Sequence, residues 1–249
     1  MFPVRIGRHV LRWATSPQDM ARVLQLRALV FRQDAGPQGD RDRFDDLCRH
    51  LLIESTQDGT LEGCLRLQVL SPADAEHTAY CAQFYDLAPL CDMTGRMLEV
   101  GRLCTHPERA DPEVLRLAFA ALSAVVLDEE IRFLFGATSF AGTDPAPYLA
   151  SFDQLRGRIA PDRWRPRRRA PCVYPFARAA SAATARRGAG MHRMPPLLRG
   201  YLGLGCRVSD HAVIDPDLGT LHVFTGLEPG SVPPGRARLL RAAAQGLLQ

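Results

Sequence analysis

Apolar residues follow two different spacings along this chain, and the two spacings predict strands and helices in alternation. Dense or alternating apolar runs predict strands at residues 4–14, 50–55, 61–70, 96–105, 131–138, 207–215 and 220–225. Helical spacing and helix-start signals predict helices at residues 16–31, 111–127, 144–155, 195–205 and 236–248. Because strands and helices alternate while the first and last strand groups are hairpin-like, the pattern predicts an α/β fold with a mixed sheet.

The first predicted helix carries an unusual polar residue on its apolar side. Ser16 is a good N-cap, Pro17 suits the first helical position, and Asp19 follows the cap by three residues. Arg27 and Phe31 are four residues apart and therefore share a face of this helix. An arginine on that face predicts a ligand or a buried carboxylate as its partner.

The stretch 96–107 predicts a buried strand that two charges interrupt, Glu99 and Arg102. A regular strand would point these side chains to opposite faces, since they are three residues apart. A bulge at Gly101 would bring both to one face. Two interpretations stay open: Glu99 is a general base on a bulged strand, or the pair is a structural ion pair.

The residues between the first helix and the second strand predict a polar, acid-rich loop. An aspartate-rich loop could receive a cationic substrate; the alternating ligands and closing glutamate of a calcium loop are absent, so we predict no metal. The seven cysteines are scattered and lack a C-x-x-C pair, so we expect reduced thiols in a cytosolic protein. The loop aspartates are Asp34, Asp40, Asp42, Asp45 and Asp46.

The composition of the chain excludes lysine-based chemistry and a membrane-spanning segment. The chain has 249 residues, 46% of them hydrophobic, and a formal net charge of +4. Every basic side chain other than histidine is arginine, which excludes a lysine Schiff base and a phosphate-loop lysine. No apolar run approaches the ~20 residues of a membrane span, and the start of the chain has no signal-peptide core.

Positive charge concentrates in one part of the chain. Residues 156–207 contain thirteen arginines and one acid, Asp162. Such a block predicts an anionic partner, which could be nucleic acid, an acidic protein or anionic lipid, or else a solvated insertion. Nucleic acid is disfavoured because Trp164 is the sole aromatic residue in the densest run. That run contains Arg163, Arg165, Arg167, Arg168 and Arg169.

The last predicted helix, at about 236–248, is amphipathic and rich in arginine. Two interpretations are open for it. The helix could lie on a membrane surface, or it could simply pack on its own domain.

Taken in order, several segments resemble the GCN5-related N-acyltransferase (GNAT) superfamily. Within it they resemble the branch of bacterial L-ornithine N-alpha-acyltransferases, which is related to the acyl-homoserine-lactone synthases. The ornithine branch is suggested specifically by residues 195–201. The segments that carry the resemblance are residues 26–31, 42–50, 63–67, 99–107, 134–140 and 195–201.

The resemblance implies one acyltransferase domain over residues 1–249, with a basic insertion at about 156–194. It implies a mixed, mostly antiparallel sheet with a bulged, splayed central strand and flanking helices. The implied activity is transfer of a (3-hydroxy)fatty acyl group from acyl carrier protein to the alpha-amine of L-ornithine, giving lyso-ornithine lipid. The alternatives are an acyl-homoserine-lactone synthase-like enzyme and an N-acyltransferase for another amino acid.

The resemblance also implies the site. Glu99 and Arg102 would be catalytic, and the predicted substrate-binding residues are Arg27, Phe31, Asp42, Asp45 and Arg66. The glycine loop that cradles phosphate in coenzyme A users is not recognisable before Asp111, so the implied donor is acyl-loaded phosphopantetheine on acyl carrier protein, with no other bound cofactor. The arginine-rich run would dock that carrier. The expected location is the cytoplasm, with peripheral contact at an anionic inner membrane face left open.

Overall fold

Six helices and twelve strands form the regular structure of the residues described here. The structure is a computed structural model that describes residues 2–32, 39–109, 111–179 and 193–248. The helices are α1 Pro17–Phe31, α2 Pro72–Thr78, α3 Pro112–Asp128, α4 Leu149–Leu155, α5 Pro196–Gly203 and α6 Pro234–Leu248. The strands are β1 Val4–Ile6, β2 His9–Trp13, β3 Arg49–Ser55, β4 Leu61–Leu70, β5 Tyr85–Asp86, β6 Arg96–Thr105, β7 Ile131–Ala141, β8 Arg167–Arg168, β9 Val173–Tyr174, β10 Arg207–Val208, β11 Ala212–Asp215 and β12 Thr220–Leu227.

The chain divides into two compact units that each draw on separate segments. Unit 1 comprises Met1–Val69, Leu98–Ile131 and Pro234–Gln249, and unit 2 comprises Leu70–Met97 and Arg132–Pro233. The single acyltransferase domain inferred for residues 1–249 stays a prediction.

In unit 1 the strands lie in the order β1-β2-β3-β4-β6. The first predicted strand, 4–14, is wrong as one element, because the chain turns back at Gly7 and forms an antiparallel hairpin of β1 and β2. Gly7 has a φ of +54°, a left-handed conformation that glycine adopts without steric cost. The hairpin predicted around residues 58–59 is confirmed, since β3 and β4 pair antiparallel on either side of it.

Helices cover both faces of the unit 1 sheet. On one face, Val23 and Leu26 of α1 pack with Leu52 and Cys64. Leu52 and Cys64 are register partners, and the next pair along the strands points to the other face because side chains alternate. There, Gly63 lies so close to Val114 of α3 that a Cβ atom on it would be 2.5 Å from the Cγ1 atom.

The predicted starts of α1 and α3 in unit 1 are confirmed, and each start is capped. Ser16 accepts a hydrogen bond from the backbone N–H of Asp19, and Asp19 accepts one from the backbone N–H of Ser16, which closes a capping box on α1. Asp111 caps α3 by accepting from the backbone N–H of Glu113. The amphipathic segment predicted at 236–248 forms α6, which packs on α3.

In unit 2 the strands lie in the order β7-β12-β11-β9, with β10 also paired to β12. The single strand predicted at 207–215 is wrong, because it is interrupted after Val208 and resumes at Ala212 as β11. Both pieces pair antiparallel with β12. The core is strongly aromatic, with Phe133, Trp164 and Phe224 buried together.

The described part of the basic insertion is folded into unit 2. Ala160, Trp164, Ala170 and Phe176 are all buried in its cores. Prolines interrupt strand hydrogen bonding, and in the described part of this stretch the strands β8 and β9 have two residues each. Residues 180–192 of the predicted insertion lie outside the described residues.

The predicted fold class is confirmed as α/β with a mostly antiparallel sheet. The pairs β1/β2, β2/β3, β3/β4, β7/β12, β10/β12, β11/β12 and β9/β11 are antiparallel, and a bridge between Ile159 and Val208 is parallel. None of the helices in the described parts of the chain combines the length and apolar content needed to cross a bilayer.

Candidate active site

The acid-rich loop of unit 1 is held in shape by its own aspartates. Asp42 Oδ1 accepts a hydrogen bond of 2.9 Å from the backbone N–H of Phe44, and Asp45 Oδ2 accepts one of 2.9 Å from the backbone N–H of Asp42. A short 3-10 turn, Asp45–Leu47, follows. Side chains that bond nearby backbone groups favour such turns over helix or strand.

Arg27 joins α1 to this loop. Its Nε donates to Asp40 Oδ2 at 2.9 Å and its Nη1 donates to Asp45 Oδ1 at 2.6 Å. All three side chains are fully buried. The sequence predicted a ligand or a buried carboxylate as the partner of Arg27, and the structure gives it two carboxylates.

Arg66 reaches the same loop from β4. Its Nη1 donates to Asp42 Oδ1 at 2.6 Å and to Asp45 Oδ1 at 2.9 Å. The guanidinium passes over Gly101 of β6, where a Cβ atom would be 3.6 Å from Nε. The lack of a side chain at Gly101 therefore leaves room for Arg66.

Arg102 is the third arginine, and it corrects the predicted position of the strand irregularity. The left-handed residue in β6 is Arg102, with a φ of +51°, rather than Gly101. Its Nε donates to Asp40 Oδ2 at 2.7 Å, its Nη2 lies 3.4 Å from Asp42 Oδ2, and its guanidinium lies over the ring of Phe31. A non-glycine residue in this conformation costs about 1–2 kcal/mol, which these contacts offset.

The arginines keep the loop carboxylates ionised. Burial alone would raise the pKa of Asp45, but hydrogen bonds and charge from Arg27 and Arg66 lower it to about 2. The pKa of Asp40 is also lowered, because the charges of Arg102 and Arg27 outweigh its burial. The cluster therefore carries its charges as compensated pairs across the neutral pH range.

Glu99 lies buried in β6, with 5% of its surface exposed. Burial raises the pKa of the nearby Cys48 thiol to about 12, with Glu99 adding to the rise and Arg66 opposing it. Arg66 and Arg102 share Asp42, and Arg102 follows Glu99 by three residues on β6. The catalytic assignment of Glu99 stays a prediction.

Neither nearby thiol is suited to nucleophilic catalysis. The raised pKa of Cys48 keeps it protonated at neutral pH. Cys104 contacts Cys64, with 3.5 Å between the sulfur atoms, and this contact and burial raise its pKa well above the usual value. Cys104 belongs to the apolar core beside α1.

His50 is a site residue that the sequence analysis did not single out. It is the register partner of Arg66, and its Nε2 lies 3.2 Å from the carbonyl oxygen of Asp45. Burial lowers its pKa, so the imidazole is neutral. A lone histidine in a strand gives no sequence signal; only the pairing of β3 with β4 places it beside the cluster.

The arginine-rich run of unit 2 is largely compensated within the fold. Four of its five predicted docking residues bond an acid or a carbonyl, and Arg167 lies 4.0 Å from an acid. Arg163 and Arg167 are the most exposed of those in ion pairs. The partners are Glu228 for Arg163, Asp162 for Arg165, Asp86 for Arg167, the carbonyls of Ala170 and Pro171 for Arg168, and Glu76 with the Ala82 carbonyl for Arg169.

One further polar cluster lies at the start of α3. His9 Nε2 is 2.9 Å from Glu62 Oε2 and 3.6 Å from Asp111 Oδ2, so three groups of metal-ligand type are close together. Arg8 bonds Asp111 at 2.5 Å and Arg109 lies 3.8 Å from Glu62. The carboxylates are therefore already paired with arginines, as in an ion-pair network that ties β2 and β4 to α3.

Comparison with known proteins identifies the family of this chain. Residues 26–120 match an acetyltransferase (GNAT) domain. The chain is 31% identical to a protein of Brucella abortus named L-ornithine N(alpha)-acyltransferase, over 88% of this chain and 84% of that one. It is 33% identical to the protein of the same name from Rhodobacter capsulatus, over 86% of this chain and 87% of that one. The chain belongs to the L-ornithine N(alpha)-acyltransferase family.

Family membership identifies the chain as an N-acyltransferase of the GNAT type. Among solved structures, FeeM, an N-acyl amino acid synthase from uncultured soil microbes, matches with a TM-score of 0.54. The match covers 93% of this chain and 99% of FeeM, at 9% sequence identity. At that identity the likeness supports the GNAT-like fold alone. The GNAT match over 26–120 spans the residues from Arg27 to Arg102 that form the buried cluster.

Proposed function

We propose that this acyltransferase moves a (3-hydroxy)fatty acyl group from acyl carrier protein to the alpha-amine of L-ornithine in the cytoplasm. The product would be lyso-ornithine lipid, and the reaction would be the first step of ornithine lipid biosynthesis. The choice of ornithine rests on similarity to the two curated relatives described above. Both are named L-ornithine N(alpha)-acyltransferase, and the similarity extends over most of both chains.

The attacking amine needs a base, and Glu99 is the candidate. An alpha-amine has a reference pKa near 8, so at neutral pH it must lose a proton before it attacks a thioester. A positioned carboxylate that accepts this proton, directly or through water, accelerates such a step by roughly 10²–10⁴-fold. The burial of Glu99 on β6, three residues before Arg102, supports this role.

The irregularity of β6 supports a second contribution. Attack on the thioester develops negative charge on the carbonyl oxygen, and each backbone N–H aimed at that charge contributes about 3–4 kcal/mol. A left-handed residue such as Arg102 interrupts the regular direction of backbone N–H groups along a strand. We assign the N–H groups beside Arg102 to the oxyanion.

The substrate roles divide according to burial. Arg27 and Asp45 are fully enclosed and paired, so we assign them to positioning the loop rather than to direct contact with ornithine. Asp42 retains 20% exposure and is the loop carboxylate best placed for the side-chain ammonium. Arg102, which packs on Phe31, would then bind the substrate carboxylate, and the enclosed Arg66 would hold Asp42 in position.

The start of α3 supports a carrier-protein donor over free coenzyme A. A helix N-terminus normally favours a phosphate, because its N–H groups are unpaired and its dipole end is positive. Here the Asp111 carboxylate occupies that position and is paired with Arg8. The acidic carrier would dock on the arginine-rich run, where Arg163 and Arg167 are most exposed.

Product analysis tests the proposal. Purified protein is incubated with 3-hydroxyacyl-acyl carrier protein and with L-ornithine, S-adenosylmethionine or other amino acids in separate reactions, and products are identified by mass spectrometry. We expect an N-alpha-acyl-ornithine. If S-adenosylmethionine gives an acyl-homoserine lactone, or if another amino acid is acylated faster, ornithine is not the preferred substrate and the proposal is wrong.

A further inference from the structure

Helix α6 has an inner face that packs on unit 1. Ala244 and Leu247 are buried, and Ala237 and Leu240 are half-buried. These four positions are three, four and three residues apart, which places them along one side of a helix. The packing of α6 on α3 explains why this side of the helix is buried.

The outer face of α6 is apolar as well. Leu239 is 73% exposed, and Ala242, Ala243 and Gly246 are exposed with it. Their spacing of three, one and three residues places them in a second strip, on the side away from Leu247. A helix with one face on its domain and water on the other would normally show a charged outer face.

Arg236 and Arg238 border this strip on its two sides, and Arg241, two residues after Leu239, lies on the far side of the helix. Arg236, Arg238 and Arg241 are all exposed, and α6 contains no acidic residue. None of the three forms an ion pair with any residue that the structure describes. Within the described residues the positive charge of α6 therefore has no acidic partner, in contrast to most of that in the arginine-rich run of unit 2.

We propose that the outer face of α6 binds the surface of an anionic lipid bilayer. An apolar strip of small residues around one leucine, bordered by arginines, is the pattern of a helix that lies flat at the lipid headgroup boundary. Anionic headgroups would neutralise Arg236 and Arg238 while Leu239 enters the acyl region. The inference stands on α6 itself; from the proposed function it takes only that an acylated product is amphiphilic and partitions into lipid.

An acidic protein would also be attracted to these arginines, but the apolar strip favours lipid. Leu239 is a single large apolar side chain on a shallow surface of alanine and glycine, which has no pocket or ridge to fix one orientation of a folded partner. A fluid bilayer needs no such complementarity. The test therefore includes the carrier protein as a competing outcome.

Vesicle co-sedimentation of the full chain tests the proposal without any substrate. We expect binding to vesicles of phosphatidylcholine with 30% phosphatidylglycerol, about 10-fold or more above that to pure phosphatidylcholine, and a decrease as salt rises from about 0.1 to 0.5 M. The double variant Arg236→Gln, Arg238→Gln should lose about 30-fold in affinity. The variant Leu239→Gln should lose about 10-fold.

Two matched variants control for nonspecific effects. Leu149→Gln replaces another exposed leucine, on α4, and Arg163→Gln removes an exposed arginine that has an acidic partner. Both should bind anionic vesicles like the wild type, and thermal unfolding should show that the α6 variants remain folded. If the wild type does not bind anionic vesicles, or if the α6 variants bind like the wild type, the proposal is wrong. If the α6 variants raise the KM for acyl carrier protein and leave vesicle binding unchanged, α6 is a carrier site instead.

Discussion

Asp45 shows how single residues hold the site together. Its side chain has no exposed surface and accepts hydrogen bonds from both Arg27 and Arg66. Removing one member of a buried charge cluster leaves the other charges without compensation, which costs more than the cluster contributes when intact. The neighbouring Asp46 has a 75% exposed side chain and bonds only the exposed Arg41 among the described residues.

Replacing Asp45 should therefore affect stability much more than replacing Asp46. We expect Asp45→Asn to lower the free energy of unfolding by about 3 kcal/mol, because two guanidinium groups lose a buried counter-charge. Asp46→Asn should change it by less than about 0.5 kcal/mol. Denaturant unfolding at pH 7 measures both. Equal effects of the two substitutions would mean that the buried cluster does not hold the loop.

Asp45 also predicts a pH dependence. Its folded pKa, about 2, lies below the ordinary value of 3.8, so its contribution to stability is complete above about pH 4 and is lost as the pH falls toward 2. In the Asp45→Asn variant this group no longer titrates. Unfolding free energies measured between pH 5 and pH 2.5 should therefore fall less steeply in the variant than in the wild type.

At the scale of elements, β4 is the strand on which unit 1 is arranged. Its two faces carry α1 and α3, and the close approach of α3 depends on Gly63. A Cβ atom there would be 2.5 Å from Val114 Cγ1 and 3.3 Å from the carbonyl oxygen of Cys104. The strand or the helix must move to accept any side chain at this position.

We expect Gly63→Ala to lower stability by about 1–3 kcal/mol, the usual cost of forcing one methyl group into a filled interior. Gly157→Ala is the matched control, because a Cβ atom there has no other atom within 4 Å. Thermal unfolding of the two variants compares them directly. A Gly63→Ala protein as stable as the Gly157→Ala protein would show that α3 is not packed on β4 as described.

The helices and strands also show which boundaries can be predicted from the sequence alone. Local signals decide the starts of α1 and α3, and both starts are as predicted because Ser16 and Asp111 bond groups only two or three residues away. The strands predicted at 4–14 and 207–215 are each interrupted, because pairing with another strand decides where a strand turns. The glycine at position 7 was the available signal for the first interruption.

The site follows the same division between local and tertiary causes. Charges in an apolar strand singled out Glu99 and Arg102, and their catalytic roles stay a prediction. The pairs of Arg27 and Arg66 with the loop aspartates join residues 13 to 24 positions apart, and only the folded sheet brings them together. The exposed fraction of each side chain, which the sequence does not give, then separates the enclosed Arg27 and Asp45 from the partly exposed Asp42.

At the scale of the whole molecule, charge is distributed unevenly. The arginine-rich run of unit 2 is balanced partly by acids at Glu76, Asp86 and Glu228. Partly exposed arginines of such a run act on a charged partner mainly through long-range attraction, which salt screens. Docking of an acidic carrier should therefore depend on ionic strength.

We expect the KM for acyl-acyl carrier protein to rise several-fold between 50 and 500 mM salt, with kcat changing little. The double variant Arg163→Gln, Arg167→Gln should raise this KM at low salt and reduce its salt dependence, because both arginines retain high exposure. Arg116→Gln removes an exposed arginine of α3 and is the matched control. A KM that stays constant with salt would remove the docking assignment.

The central claim is that Glu99 takes the proton of the incoming amine, and steady-state kinetics of Glu99→Gln tests it most directly. The control is Glu129→Gln, which changes a partly exposed glutamate paired with Arg49 in the same unit. With saturating acyl donor and ornithine, and with folding verified by thermal unfolding, we expect Glu99→Gln to lower kcat at least ~100-fold while Glu129→Gln stays near the wild type. Turnover of the folded Glu99→Gln protein within a few-fold of the wild type would contradict the mechanism.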